Sequence, residues 1–217
     1  MAHLDKLSAP DRNIMRPHTL ALLLCALLGC ADDTVSVFIT GMALPSISGG
    51  VCEYSASTNI STGIYDPSRA DSYVLFATVD NALIPRANEL RPETNGVFIT
   101  DAVVTVRDAN AGASIAEYSV PATGYIAPGA SAVVSMEAIP SSIDVSASTQ
   151  LILDIRLRGQ TQGEIEIETG SFSWPVAVCS GCLFPPCVMA ADGAVDDSLG
   201  ACSPGSNFQL ITACPMP

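Results

Sequence analysis

Between residues 34 and 178 apolar and polar positions alternate in short runs, and Gly, Pro, Asn or Asp closes most of them. Successive residues of a strand point to opposite faces, so this period of two, rich in β-branched residues, predicts half-buried strands. Thr34–Thr40 sets Val35, Val37 and Ile39 on one side and predicts a first strand. Gly41 to Gly50, with Pro45 and a Gly-Gly pair, predicts a loop. Val51–Tyr54 predicts a second strand or its entrance, and Ser55 to Asp71 a long polar connection. Tyr73–Val79 is almost wholly apolar and predicts a central strand.

After a connection through Pro85 and Pro92, Gly96–Arg107 sets Ala102, Val104 and Val106 on one face. Asp101, Val103, Thr105 and Arg107 fall on the other. Asp108 to Gly112 predicts a turn and Ser114–Val120 its returning arm. Ile126–Gly129 predicts a further turn, leading into Ala132–Ile139. Leu151–Gly159 points Leu151, Leu153, Ile155 and Leu157 inward and Asp154, Arg156 and Arg158 outward. Ile165 and Ile167 then alternate with Glu164, Glu166 and Glu168, Gly170 interrupts, and Phe172, Trp174 and Val176 resume an inward face. The glutamates opposite the two arginines predict cross-strand pairs on a solvent face. No amphipathic helix is visible. The pattern predicts an all-β domain at 34–178, an antiparallel β-sandwich of immunoglobulin-like kind, with a small cysteine-rich tail at 179–217.

The stretch before this domain obeys a different rule. Met15 to Cys30 has Arg16, an unbroken apolar run from Leu20 to Leu28, and Gly29-Cys30. A positive start, a short apolar core and a small residue before the cut make a secretory signal peptide. Nine apolar residues span about 14 Å as helix against a hydrocarbon core of about 30 Å, so they do not cross a membrane. Leu27-Leu28-Gly29-Cys30 resembles the lipobox of bacterial lipoproteins, in which cleavage precedes a cysteine that carries a diacylglyceryl group. The resemblance implies a leader at 1–29, removed on export, a lipid on Cys30, and a short tether at 30–33. A cleaved signal without lipid is the alternative. Asp5 and Asp11 are unusual in a signal's positive region, which makes Met15 the cleaner start.

That division changes what the composition says. The chain has 217 residues and a net charge of −13. Both histidines, His3 and His18, and the one lysine, Lys6, lie in the leader, so six arginines are left facing 20 acidic residues. An acidic body repels phosphate backbones, and no nucleic-acid partner is expected. Without His or Lys, the Ser-His-Asp and Cys-His triads, histidine-ligated zinc, Schiff bases and P-loop phosphate binding are all excluded. Paired carboxylates remain, as in glycoside hydrolysis. No catalytic residue, cofactor or metal site is assigned.

Eight cysteines divide in the same way: Cys25 is discarded, Cys30 takes the lipid, and Cys52, Cys179, Cys182, Cys187, Cys202 and Cys214 stay. An exported compartment favours disulfides, and a tail poor in large apolar residues needs them. Cys179-Ser-Gly-Cys182 also has the spacing of zinc knuckles and thiol redox motifs. A zinc site lacks a second matched pair, however, and Pro185-Pro186 speaks against the helix a redox site wants. Six cysteines allow 15 connectivities. Cys52 stands far from the others, so one bridge ties the tail to the β domain. Asp192 to Asp197 is acidic but lacks the spacing of a calcium loop.

Three features together resemble an uncharacterised family of predicted lipoproteins from myxobacteria and related bacteria. They are the Leu-Leu-Gly-Cys30 box, the stretch Tyr73 to Arg107 with Asn81-Ala-Leu-Ile-Pro-Arg86 and Glu93-Thr-Asn95, and the end with Cys202-Ser-Pro-Gly205. That family has no assigned activity to carry over. The resemblance implies a membrane-anchored protein of the bacterial cell envelope, touching the membrane through the lipid on Cys30 and serving as a non-enzymatic structural or recognition module. Ala31, not an aspartate, follows Cys30, which points to the outer membrane. A carbohydrate-binding or carbohydrate-cleaving module and a low-affinity cation-binding protein are the alternative readings.

Overall fold

The computed structural model describes residues 36–48, 51–88, 90–145 and 149–182. Ten strands account for most of them: β1 (Val37–Ser48), β2 (Val51–Ile60), β3 (Gly63–Tyr65), β4 (Tyr73–Asn81), β5 (Val97–Asp108), β6 (Ser114–Ile126), β7 (Ser131–Ile139), β8 (Gln150–Thr161), β9 (Glu166–Glu168) and β10 (Phe172–Val178). Among the described residues there is no helix, so the chain is all-β as its alternation predicts. The strands hydrogen-bond in the order β2-β1-β4-β7-β6-β5-β8-β10-β3, with β9 attached to β8. The two edges of this path, β2 and β3, are successive in the chain and joined only by residues 61 and 62. The sheet therefore curls almost shut, in a barrel-like arrangement that leaves little open edge.

The inward positions are those that alternation selects. Tyr73, Leu75, Ala77 and Val79 of β4, Ala102, Val104 and Val106 of β5, and Leu151, Leu153, Ile155 and Leu157 of β8 are all buried in one core. Each large apolar side chain so placed contributes about 1.5–3 kcal/mol. Trp174 of β10 is 1% exposed, and its indole N–H donates to Tyr73 Oη at 3.3 Å. The β5–β6 turn is fixed by Asp108, whose Oδ1 accepts the N–H groups of Asn110 and Ala111 at 2.8 and 2.7 Å.

Four local expectations give way. The stretch from Gly41 is strand as far as Ser48, not loop. Gly41 sits where the β1–β4 register slips, and a Cβ there would press against the Asn59 side chain, 2.7 Å away. Pro45 pairs with Tyr54 on the β2 side, beyond the last β4 partner of β1 at Met42, so its missing N–H costs the ladder little. The polar connection at 55–71 holds the rest of β2 and all of β3. β10 and β3 run parallel, which departs from an antiparallel arrangement throughout. Three residues are too few for alternation to reveal. Finally, Val103 is buried although it lies on the charged face, where Ser119 and Arg156 flank it across the register. The aliphatic stems of long charged residues cover apolar neighbours in this way.

The registers define two ends. At one lie the start of β1, the end of β4 and the start of β5, with Val37 opposite Asn81, and Val97 opposite both Ile126 and Thr161. At the other lie the start of β4 and the end of β10, with Tyr73 opposite Ile139 and Val178 opposite Tyr65. Eleven steps of β5 separate them, about 36 Å. They are called below the Asn81 end and the Tyr73 end.

Candidate functional site

Chemistry-bearing side chains gather in three places. The first is the Tyr73 end, where the chain leaves β10. Cys179 and Cys182 are at disulfide distance, their Cα atoms 5.9 Å apart. The backbone N–H of Cys179 donates to Tyr65 O at 3.0 Å, which carries the β3–β10 ladder one residue past the strands. Beneath the pair lies Asp66, fully buried. Its Oδ1 accepts from Ser68 N at 3.0 Å, Ser68 Oγ at 2.6 Å and Gly181 N at 3.1 Å. The Asp66–Ser68 contact is the side-chain turn that Asp favours, and it aims the carboxylate at the cysteine loop. Gly181 turns that loop at φ 71°, a left-handed conformation that suits glycine.

One ligand atom each from Asp66, Cys179 and Cys182 lies within 4.8 Å of the others. Reduced, such a set offers two thiolates and a carboxylate, three of the four donors that zinc takes. With the disulfide formed the sulfurs are no longer thiolates, and the cluster acts as a clasp. Burial first, and the nearby Asp71 second, raise the pKa of Tyr65, whose hydroxyl donates to Ala70 O at 3.2 Å.

The second place is the outer face of β5, β8 and β9. The expected arginine–glutamate pairing is there, in narrower form than a ladder of three. Arg156 Nη1 and Arg158 Nε both reach Glu168, at 2.6 and 3.0 Å, while Glu166 is exposed and Glu164 occupies a turn at φ 62°. Arg158 Nη1 also stands 3.9 Å from Asp101. Arg107 Nε binds Asp154 at 2.7 Å, and Ser173 Oγ adds a bond of 2.5 Å to the same carboxylate. The Arg107 hydrogen bond holds Asp154 below the usual carboxylate range, and the Arg158 hydrogen bond does the same for Glu168. Such groups stay ionised, the reverse of the raised pKa that a proton-donating carboxylic acid needs.

The third place is the connection between β4 and β5 at the Asn81 end. Buried Asn81 donates through Nδ2 to Asn95 O at 2.9 Å and Ile126 O at 3.2 Å, and its Oδ1 accepts Leu83 N at 3.0 Å. Glu93 accepts four backbone N–H groups: Arg86 and Ala87 on Oε2 at 3.0 and 3.1 Å, Thr94 and Asn95 on Oε1 at 2.9 and 2.8 Å. These bonds, that from Asn95 foremost, lower its pKa. Asn95 Nδ2 closes the loop on Ile84 O at 2.7 Å. No known family's sequence profile matches this chain, and no curated protein matches it in sequence. The residues themselves therefore carry the functional reading.

Of the cysteines expected to pair, the structure brings Cys179 and Cys182 together. The backbone of Cys52 pairs with Ile47 near the β1–β2 hairpin tip, and its side chain lies outside the described residues. Cys30, Cys187, Cys202, Cys214 and the acidic loop at 192–197 also lie outside the described residues. Taking the Cys179–Cys182 pair as given reduces 15 connectivities to three. Asp66, Asn81 and Glu93 went unseen in the sequence. Asp66-Pro-Ser68 carries a turn signal, but nothing in it points 115 residues onward to Gly181. Asn81 and Glu93 belong to the segments on which the lipoprotein resemblance rests.

Proposed function

We propose that this chain is an exported lipoprotein of the bacterial cell envelope, held on a membrane by a lipid on Cys30. In this reading its β domain does structural or recognition work, not catalysis. The observation that carries the reading is the Leu27-Leu28-Gly29-Cys30 box behind nine apolar residues and Arg16. The position of β1 fits it, since the first strand starts at Val37, seven residues past the cysteine. With Ala31 in the second mature place, the outer membrane is the proposed address. The resemblance to predicted lipoproteins of myxobacteria and related bacteria supports the same reading.

The two parts of the strand order, β2-β1-β4-β7 and β6-β5-β8-β10-β3, are proposed to stack as the layers of an immunoglobulin-like sandwich. The support is the seam between them: β6 and β7 share only the Ala122–Met136 and Thr123–Ser135 pairs, whereas β5 pairs with β6 along almost its whole length. A non-enzymatic role is supported by the absence of His and Lys after the leader and by the ionised, ion-paired state of Asp154 and Glu168. A carbohydrate platform finds no support in the single tryptophan, which is buried under the sheet.

Labelling with radioactive fatty acid tests the anchor. Label is expected on the native protein and absent from Cys30→Ala. Absence from both overturns the reading.

A further inference from the structure

Exposed large apolar side chains are unevenly distributed over the described residues. There are seven: Phe38, Ile84, Leu90, Phe98, Ile115, Tyr125 and Ile165. Six of them stand at the Asn81 end. Phe38 is the second residue of β1, opposite Asp80, and Phe98 is the second of β5, opposite Tyr125 near the end of β6. Ile84 and Leu90 crown the β4–β5 loop, 77% and 93% exposed. Ile165, 66% exposed, follows β8, where its carbonyl accepts Thr161 N at 2.9 Å. Only Ile115, at the start of β6, stands at the Tyr73 end.

The same end receives the chain from Cys30. Ser36 O accepts Ala82 N at 2.7 Å, at the first residue of the β4–β5 loop. Six residue steps lead from Cys30 to Ser36, and whatever their conformation they reach no more than about 20 Å. The loop also carries Arg86 and Arg91, which make no ion pair among the described residues and with Glu89 and Glu93 leave it formally neutral on an otherwise acidic body. Apolar and aromatic side chains with arginines beside them are what the boundary between headgroups and acyl chains accommodates.

We infer that the Asn81 end is a bilayer-docking face, with Ile84 and Leu90 entering the headgroup–acyl boundary of the membrane that holds the Cys30 lipid and Arg86 and Arg91 meeting lipid phosphates. The inference rests on the lipoprotein reading for which surface the end faces. A bilayer suits the arrangement better than a protein partner does. The six side chains stand on strand ends and loops around one rim, and a rim meets a plane. Glu93 and Asn95 already shape the loop, so docking has little ordering entropy to overcome.

The test uses the full processed chain in vesicles of phosphatidylethanolamine and phosphatidylglycerol with brominated acyl chains, with the mass of the N-terminal residue checked for lipid. Trp174 is the only native tryptophan and is buried, so Leu90→Trp and Ile115→Trp each add one reporter, at opposite ends. Quenching of Leu90→Trp with Ile115→Trp unaffected is the expected result. Equal quenching, or none, on lipid-bearing protein overturns the docking face while leaving the anchor standing. If Cys30 carries no lipid the anchor reading fails, and the same comparison on vesicle-sedimented protein still decides the docking face: quenching at 90 alone supports it, and its absence overturns it. In unlipidated Cys30→Ser protein, Ile84→Ser and Leu90→Ser should each weaken vesicle partitioning about tenfold. Loss of self-association in Leu90→Ser with partitioning unchanged would assign the rim to a second copy and overturn the proposal.

Discussion

The two ends of the barrel are closed by opposite means. At the Asn81 end, polar side chains fold inward on backbone groups, Asn81 and Glu93 chief among them, and the apolar side chains of the rim point out. At the Tyr73 end, Tyr65 and Tyr73 pack inside with ring centroids 5.4 Å apart, and a buried carboxylate with a cysteine pair fastens the departing chain. The first end leaves six large apolar side chains exposed, whereas the second buries its two tyrosine rings and binds the chain as it leaves β10. Each end has a buried polar side chain that binds several backbone groups, Asn81 at one and Asp66 at the other, and removing either should show which end the fold depends on more.

Asn81→Ala should have the larger effect. It removes three hydrogen bonds at once and leaves Asn95 O and Ile126 O without their donor and Leu83 N without its acceptor. At about 1–3 kcal/mol per buried group left unpaired, a loss of about 3 kcal/mol is expected. For a domain of this size that lowers Tm by about 10 °C in thermal melts. Asp66→Ala should follow at about 2 kcal/mol, since it deprives Ser68 N and Ser68 Oγ of their acceptor, while Gly181 N, itself open to water, keeps its second acceptor, Ser68 Oγ, at 3.0 Å. A result in the reverse order would make the tail end the keystone.

Cys182→Ser sharpens the comparison further. A crosslink between residues three apart closes a very short loop, and the chain-entropy argument allows it at most about 2 kcal/mol. Because Cys182 is exposed, a smaller Tm shift than that of Asp66→Ala is expected. The change should appear chiefly as faster proteolysis after residue 179. If Cys182→Ser outweighs Asp66→Ala, the disulfide, and not the carboxylate beneath it, holds the tail.

How much of this was legible follows from the same division between core and ends. β4, β5, β8 and β10 show in the sequence because each turns one face to the core, and burial forces a period of two on Leu75, Val104, Ile155 and Trp174. β3 and the second halves of β1 and β2 do not show. They lie at or beside the sheet's edges, where Ser and Thr occupy both faces and Gly and Pro are tolerated. The Arg156–Glu168 contact was legible as opposite charges on facing strands. Asp66 under the cysteine loop was not, because no local pattern encodes a partner more than a hundred residues away.

The smallest effect should come from Glu93, and it separates the loop from the barrel. Its carboxylate accepts four backbone N–H groups, and these bonds hold its pKa below the ordinary value. A group with a lowered folded-state pKa contributes its stabilisation above the unfolded pKa and loses it as the pH falls through the folded one. Protection of the Arg86, Ala87, Thr94 and Asn95 amides should therefore be full above about pH 5 and fade below the usual carboxylate range. Glu93→Gln, with a single oxygen to accept, should abolish that pH dependence and speed exchange at the four amides while those of β5 and β8 stay protected. Hydrogen exchange read residue by residue checks this, and loss of β5 protection together with the loop's would mean that the loop closes the barrel and does more than cap it.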